Sequence, residues 1–410
     1  MNAVVRDHCN MKNCSVEDSP EGLRILFCIP TLQGGGAERQ LSYLLAGLAA
    51  RGVEVHLAHL GGGPNLERIK QAGATFHHLS GSGNHDPRLL WQLTKIVRTV
   101  KPNIIHTFLT QMDILGGLAG LITDTPFIIG ERTSDLRHSR PWKNSIRTKI
   151  GCRASFVVAN SEAGARCWEP RRRSGGIRVV PNIIPCDEIL GAKGEPWAAF
   201  GVDQNTEVIL SAGRYNPEKN PLALLEAVSL VTCERSRVQM FFFGEGPLQQ
   251  EMQRRVASQK LTGRINILPY SEAVWSWMKR ANVFVSAAIR EGCPNAVCEA
   301  AIAGCPLVLS DIPAHRELFE DAATLVTRLD AKSIARGIID VLADGESARH
   351  RADVAFTKIS QLNSDFVIAQ HLSIYKEVCS SRPRPSQSDS EAHNIAESEC
   401  VPQSRLADRK

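Results

Sequence analysis

No apolar run in this 410-residue chain approaches the ~20 residues that a membrane-crossing helix needs. Its longest candidate, Ile114-Leu-Gly-Gly-Leu-Ala-Gly-Leu-Ile122, is far too short. The N-terminal stretch carries Asp7, Glu17 and Asp18 and lacks the apolar core of a secretory signal, so a cytoplasmic protein is expected. There are 12 cysteines but no C-x-x-C pair. Cys293, Cys298 and Cys305 follow no common zinc spacing, which leaves buried free thiols in a reducing compartment. No short-period repeat is visible, and no nucleic-acid-binding motif accompanies the modest net charge of +5. The chain also has no D-x-D, the short acidic motif that would hold a divalent cation.

What is present is ordinary in bulk: 43% hydrophobic and 22% charged residues, enough for two soluble domains with tails. The charge is uneven. Between Glu131 and Arg178 twelve Lys and Arg face four Asp and Glu. A solvated face is one reading of such a run. Attraction to an anionic membrane surface is the other, with Trp142 and Trp168 as interfacial rings. Apolar strands alternate with helical periodicity twice along the chain. The first series opens at Leu23–Ile29 and runs to Val179-Val180; the second opens at Glu207–Leu210 and runs to Thr324–Val326. Turn residues between Pro181 and Asn205 suggest a linker. This pattern predicts an α/β protein with two parallel sheets and a cleft at their C-terminal strand edges.

The most informative residues are Glu291 and Glu299, eight apart in a run ending at Gly304-Cys-Pro306. Pro294 suits the first turn of a helix. Glu291 then lies in the lead-in loop and Glu299 inside the helix. Two carboxylates so placed can grip two ends of a polyhydroxyl ligand, while the free N–H groups of the helix start hold an anion between them. Arg214 and Lys219 follow the first strand of the second series and can converge on that anion. Gly34, Gly35 and Gly36 form a tight turn that is not G-x-G-x-x-G, which disfavours a nicotinamide site. His106 ends a strand facing the expected cleft, where it either orients substrate oxygens or serves a structural role. Glu131 and Asp135 follow another strand end.

The second half resembles the C-terminal domain of a retaining family-4 glycosyltransferase of the GT-B fold. The resemblance rests on Gly213-Arg-Tyr-Asn-Pro-Glu-Lys219-Asn220-Pro, Phe243-Gly-Glu-Gly-Pro247, the Glu291-to-Pro306 block, Ser310-Asp311 and Arg316-Glu317. The first half agrees through Gly34-Gly-Gly-Ala-Glu38-Arg39, Ile105-His106, Glu131-Arg-Thr-Ser-Asp135 and Val180-Pro-Asn182. It covers roughly residues 23 to 378, the span of two ordinary domains.

The resemblance implies two Rossmann-like domains facing across a cleft. Residues 1–22 form a flexible N-terminus and 23–185 an acceptor-side domain. Residues 186–365 form the nucleotide-sugar domain, 366–378 a helix crossing back, and 379–410 a disordered tail. It implies that Arg214, Lys219 and Glu291 act on the reacting donor. Gly292, Cys293, Pro294, Asn295, Ala296, Val297 and Glu299 would bind it, Glu299 through the ribose. Gly34–Gly36 would face the diphosphate and acceptor, with His106 and Glu131 as acceptor-side residues. No protein base, metal or other cofactor is expected. The donor is a UDP- or GDP-sugar. The acceptor is a saccharide or a lipid-linked saccharide of polysaccharide or lipopolysaccharide synthesis, met at the inner membrane face. Two departures concern sugar identity: Ile183 follows Asn182, and Pro313-Ala-His315 precede Arg316. A nucleotide-sugar epimerase or hydrolase and a non-catalytic nucleotide-sugar-binding protein are the alternatives.

Overall fold

The computed structural model describes residues 22–381 except 34, 84–85, 134–140, 172–175, 195 and 272. The expected flexible N-terminus and the tail, apart from its edges, Gly34 and Asp135 thus lie outside the described residues. The first sheet contains β1 (Arg24–Ile29), β2 (Glu54–His59), β3 (Thr75–His78), β4 (Ile104–Phe108), β5 (Phe127–Glu131), β6 (Phe156–Ala159) and β7 (Ile177–Val179). The second contains β8 (Glu207–Ala212), β9 (Val238–Phe243), β10 (Ile265–Leu268), β11 (Val283–Ser286), β12 (Leu307–Ser310) and β13 (Thr324–Val326). The strand orders are β3-β2-β1-β4-β5-β6-β7 and β10-β9-β8-β11-β12-β13. Every described pairing is parallel.

Parallel strands must be covered on both faces, which is why they read as near-continuous apolar runs. In β1, Ile25, Phe27 and Ile29 enter one core while Leu26 and Cys28 enter the other. In β8, Val208 and Leu210 face one core and Ile209 the opposite one. Each sheet reverses order beside its first strand, between β1 and β4 and between β8 and β11. Open α/β sheets take ligands at such switch points, beyond the C-terminal strand ends.

The chain changes core between Ile183, packed in the first domain, and Ile184, packed in the second. The segment expected to be a linker is therefore not loose. It holds the helix Cys186–Gly191 and the short turn Pro196–Phe200, and Ile184 and Ile189 are buried in the second domain. The return crossing lies alongside: the Ile184 N–H donates to the Leu362 carbonyl at 3.1 Å. Asn363 then caps the last helix, Ser364–Ser380, accepting from the Phe366 N–H. That helix buries Val367, Ile368, His371, Ile374, Tyr375 and Val378 against the first domain. The spacing is one helical stripe, so the C-terminal helix belongs to the N-terminal core.

Candidate active site

At the end of β8 two of the quoted motifs form one platform. The Gly213 N–H donates to the Phe243 carbonyl and the Tyr215 N–H to the Glu245 carbonyl, each at 2.9 Å. A Cβ on Gly244 would sit 1.9 Å from the Gly213 carbonyl oxygen, so the loops touch only because that position is glycine. Asn220 closes the platform in the left-handed conformation (φ 52°, ψ 45°), which Asn tolerates better than most residues, and Pro221 starts the next helix. The platform holds Lys219 against the loop after β11, the neighbouring strand: its Nζ pairs with Glu291 Oε1. The loop is anchored by the Ile289 N–H donating to the Glu218 carbonyl at 2.7 Å. Arg214 stands beside them, exposed, with no ion-pair partner among the described residues.

Behind Glu291, Gly292, Cys293 and Pro294 lead into the helix Asn295–Ile302. The helix start has no side-chain cap and no acidic residue in its first turn. The N–H groups of Ala296 and Val297 are consequently available to an anion. Cys293 and Cys298 are neighbouring thiols; the Cys293–Cys298 hydrogen bond favours the thiolate of Cys293 and, with burial, disfavours that of Cys298.

Glu299 is 3% exposed, and both its oxygens are taken. Trp275 Nε1 donates to Oε2 at 2.8 Å, and Arg39 Nη2 reaches Oε1 from the opposite domain. Burial alone would lower the Arg39 guanidinium, but Glu299 beside it, with Tyr43 and Tyr270, holds it above its usual value. Arg39 lies in the helix Gly36–Ala49, whose N-cap is Gly35. A Cβ on Gly36 would come within 3.3 Å of Asn295 Nδ2, so this glycine turn faces the Asn295 helix across the cleft. The Glu38 carboxylate folds back against Gly35, placing negative charge on that side of the turn.

His106 and Glu131 do not open to the cleft. His106 is completely buried; its Nδ1 shares a hydrogen bond of 2.8 Å with the Tyr375 hydroxyl, and burial holds it well below the usual histidine range. Glu131 is also completely buried. Its Oε2 accepts from Arg147 Nη1 at 2.8 Å and Trp168 Nε1 at 2.9 Å, and its Oε1 from the Arg132 and Thr133 N–H groups at 3.0 Å each. Arg147 also binds Asp113 at 2.6 Å. With all its lone pairs engaged, Glu131 is a structural keystone, which corrects its assignment to the acceptor. Trp168, read as an interfacial ring, is likewise 0% exposed, because its indole N–H is committed to Glu131. Sequence reasoning assigned no role to Arg39, Trp275, Asn182 or Arg132. Arg39 had a signal, since it ends the Gly-Gly-Gly-Ala-Glu-Arg run; its pairing with Glu299, 260 residues away, had none.

Two parallel-sheet Rossmann-like domains with these site elements between them define a GT-B architecture. The Anabaena protein HepE, solved in complex with UDP-glucose, superposes with a TM-score of 0.74 at 20% identity, covering 86% of this chain and 99% of its own. The glycosyltransferase family 4 model matches residues 34–188, and the glycosyl transferases group 1 model matches 198–356. The chain belongs to the family-4 glycosyltransferases. Among curated relatives, the glycosyltransferase MJ1059 of Methanocaldococcus jannaschii, itself uncharacterised, is 20% identical over 54% of this chain, which spans 58% of that protein's length. The UDP-Gal:alpha-D-GlcNAc-diphosphoundecaprenol alpha-1,3-galactosyltransferase of Escherichia coli is 23% identical over 63% of this chain and 71% of its own.

Proposed function

We propose that the protein transfers a sugar from a nucleotide donor to a lipid-linked saccharide, with retention and without a metal. The observation that carries this reading is the pairing of both carboxylates with cations around an uncapped helix start: Glu291 with Lys219, and Glu299 with Arg39. A bound donor exchanges with these internal partners. The ribose hydroxyls replace Arg39 at Glu299, the sugar hydroxyls engage Glu291, and Lys219 turns to the diphosphate with Arg214. Charge grows on the diphosphate as the glycosidic bond breaks, so cations there stabilise the transition state more than the ground state. Attack then comes from the face the diphosphate leaves, with a phosphate oxygen taking the acceptor proton.

A UDP-sugar is the favoured donor, in keeping with HepE, and a diphosphate-linked polyprenol saccharide the favoured acceptor, in keeping with the Escherichia coli relative. Among the described residues no helix is long and apolar enough to cross a membrane. Access to a lipid acceptor runs instead through the helix Pro141–Gly151, where Trp142 and Ile146 are exposed on one face among Lys143 and Lys149. The reading is tested by titrating UDP-, GDP- and ADP-sugars and fixing the anomeric configuration of the product by NMR. Donor hydrolysis with no acceptor product would contradict transfer.

A further inference from the structure

Arg132 is a part-buried cation with no ion-pair partner among the described residues. It stands just past β5, and its guanidinium lies over the Phe108 ring at 4.8 Å. Nη1 donates to Asn182 Oδ1 at 3.0 Å, while Nε is buried and has no partner. Among the described residues no carboxylate forms an ion pair with it. The neighbouring Glu131 carboxylate is committed to Arg147 and Trp168. His106, His371 and Tyr375 around it are kept neutral by burial, while Cys293, Glu131 and Asp113 act on its charge without forming an ion pair with it among the described residues. A part-buried charge with no ion-pair partner is costly to keep, and a ligand can supply its counter-charge.

The position of Arg132 indicates that ligand. A Cβ on Gly292 would lie 2.9 Å from the Arg132 carbonyl oxygen and 3.3 Å from Asn160 Oδ1, another buried atom without a partner. Asn182, which accepts from Arg132, donates in turn through Nδ2 to Asn295 Oδ1 at 2.7 Å. Arg132 is thereby tied, through one side chain, to the first residue of the uncapped helix. The Glu131 carboxylate, by accepting from the Arg132 and Thr133 N–H groups, fixes the turn that presents it.

We propose that Arg132 is an anion-binding residue contributed by the N-terminal domain, taking phosphoryl oxygens at the Gly292–Asn295 loop opposite Arg214 and Lys219. The diphosphate comes either from the donor or from a diphosphate-linked acceptor; naming it a diphosphate rests on the transferase reading. The site is then complete only with both domains in place, and Gly292 is glycine because the Arg132 backbone must approach it.

The test compares wild type with Arg132→Met and Arg132→Lys, using UDP, inorganic pyrophosphate and farnesyl diphosphate as probes. Loss of at least tenfold in UDP and pyrophosphate affinity in Arg132→Met, partly restored in Arg132→Lys, assigns the residue to the donor. Unchanged UDP affinity with at least tenfold weaker farnesyl diphosphate binding to the UDP-saturated protein assigns it to the acceptor. Unchanged affinity for all three overturns the proposal. Thermal unfolding without ligand separates binding from architecture. Removing an uncompensated charge leaves the midpoint equal or higher, whereas a fall of several degrees in Arg132→Met would mean a structural role and also overturn it. If wild type binds pyrophosphate but no nucleoside diphosphate, the transferase reading fails while the anion site stands.

Discussion

The two domains share a topology but treat their charged residues differently. In the second domain, Arg214, Lys219 and Glu291 stand beyond strand ends, at least partly exposed, and Lys219 and Glu291 are joined by a pairing that a ligand can replace. In the first, Glu131, Arg147 and Asp113 form a closed buried network whose bonds are all internal. Position at the C-terminal end of a strand is therefore insufficient to mark a site residue. What separates the carboxylates proposed to bind ligand from the structural ones is whether their partners are exchangeable.

The largest effect is expected from Glu131→Ala. It leaves Arg147 and Trp168 without their shared acceptor, and truncating a buried ion pair costs about 3–5 kcal/mol. Chemical denaturation should show that loss with donor affinity in the surviving folded protein unchanged. A fully stable variant with a raised acceptor KM would return Glu131 to the acceptor site. Next comes Lys219→Ala, expected to lower kcat roughly 10²–10³-fold with little change in folding, the size seen when one transition-state donor is removed. A variant near wild-type rate would remove Lys219 from the mechanism.

The domains should also part company with acid. Burial holds His371 down to about 3 and His106 well below the usual range, and His59 and His77 are lowered too, burial again being the main cause. The second domain has one such group, His315. A depressed histidine binds fewer protons folded than unfolded. Its stabilising effect is therefore complete above the unfolded value near 6.5 and is lost as pH falls below it, by ~1.4 kcal/mol per pH unit for each fully buried imidazole. Hydrogen exchange between pH 7 and 5 should show β1 and β4 opening before β8 and β11. Equal loss in both sheets would refute this. The smallest effect expected is from a chelator: EDTA should leave transfer within twofold, and abolished activity restored by a divalent cation would end the metal-free reading.

Much of this was legible in the sequence, and unevenly so. Strands β6, β9, β10 and β13 start and stop where their apolar runs do. The helix Gly345–Ile359 was not foreseen, because its buried face is Ala348, Ala352, Ala355 and Ile359, a stripe too small and weakly apolar to stand out. The residues proposed to hold the donor could be grouped from the sequence because they sit within a few short motifs. The first domain's contribution was not. Arg39 and Arg132 act across the cleft, and no local pattern encodes which residue a side chain meets after two domains close. His106 and Glu131 show the reverse error: isolated polar residues at strand ends carry the same local signature whether they face a ligand or a core.

In the proposed donor complex Glu299 exchanges Arg39 for the ribose of a nucleotide. Calorimetric titration of UDP and of inorganic pyrophosphate into wild type and Glu299→Ala tests it most directly. UDP should bind at least tenfold more weakly to the variant, while pyrophosphate, which has no ribose, binds both alike. Equal UDP affinity in the two proteins would contradict it.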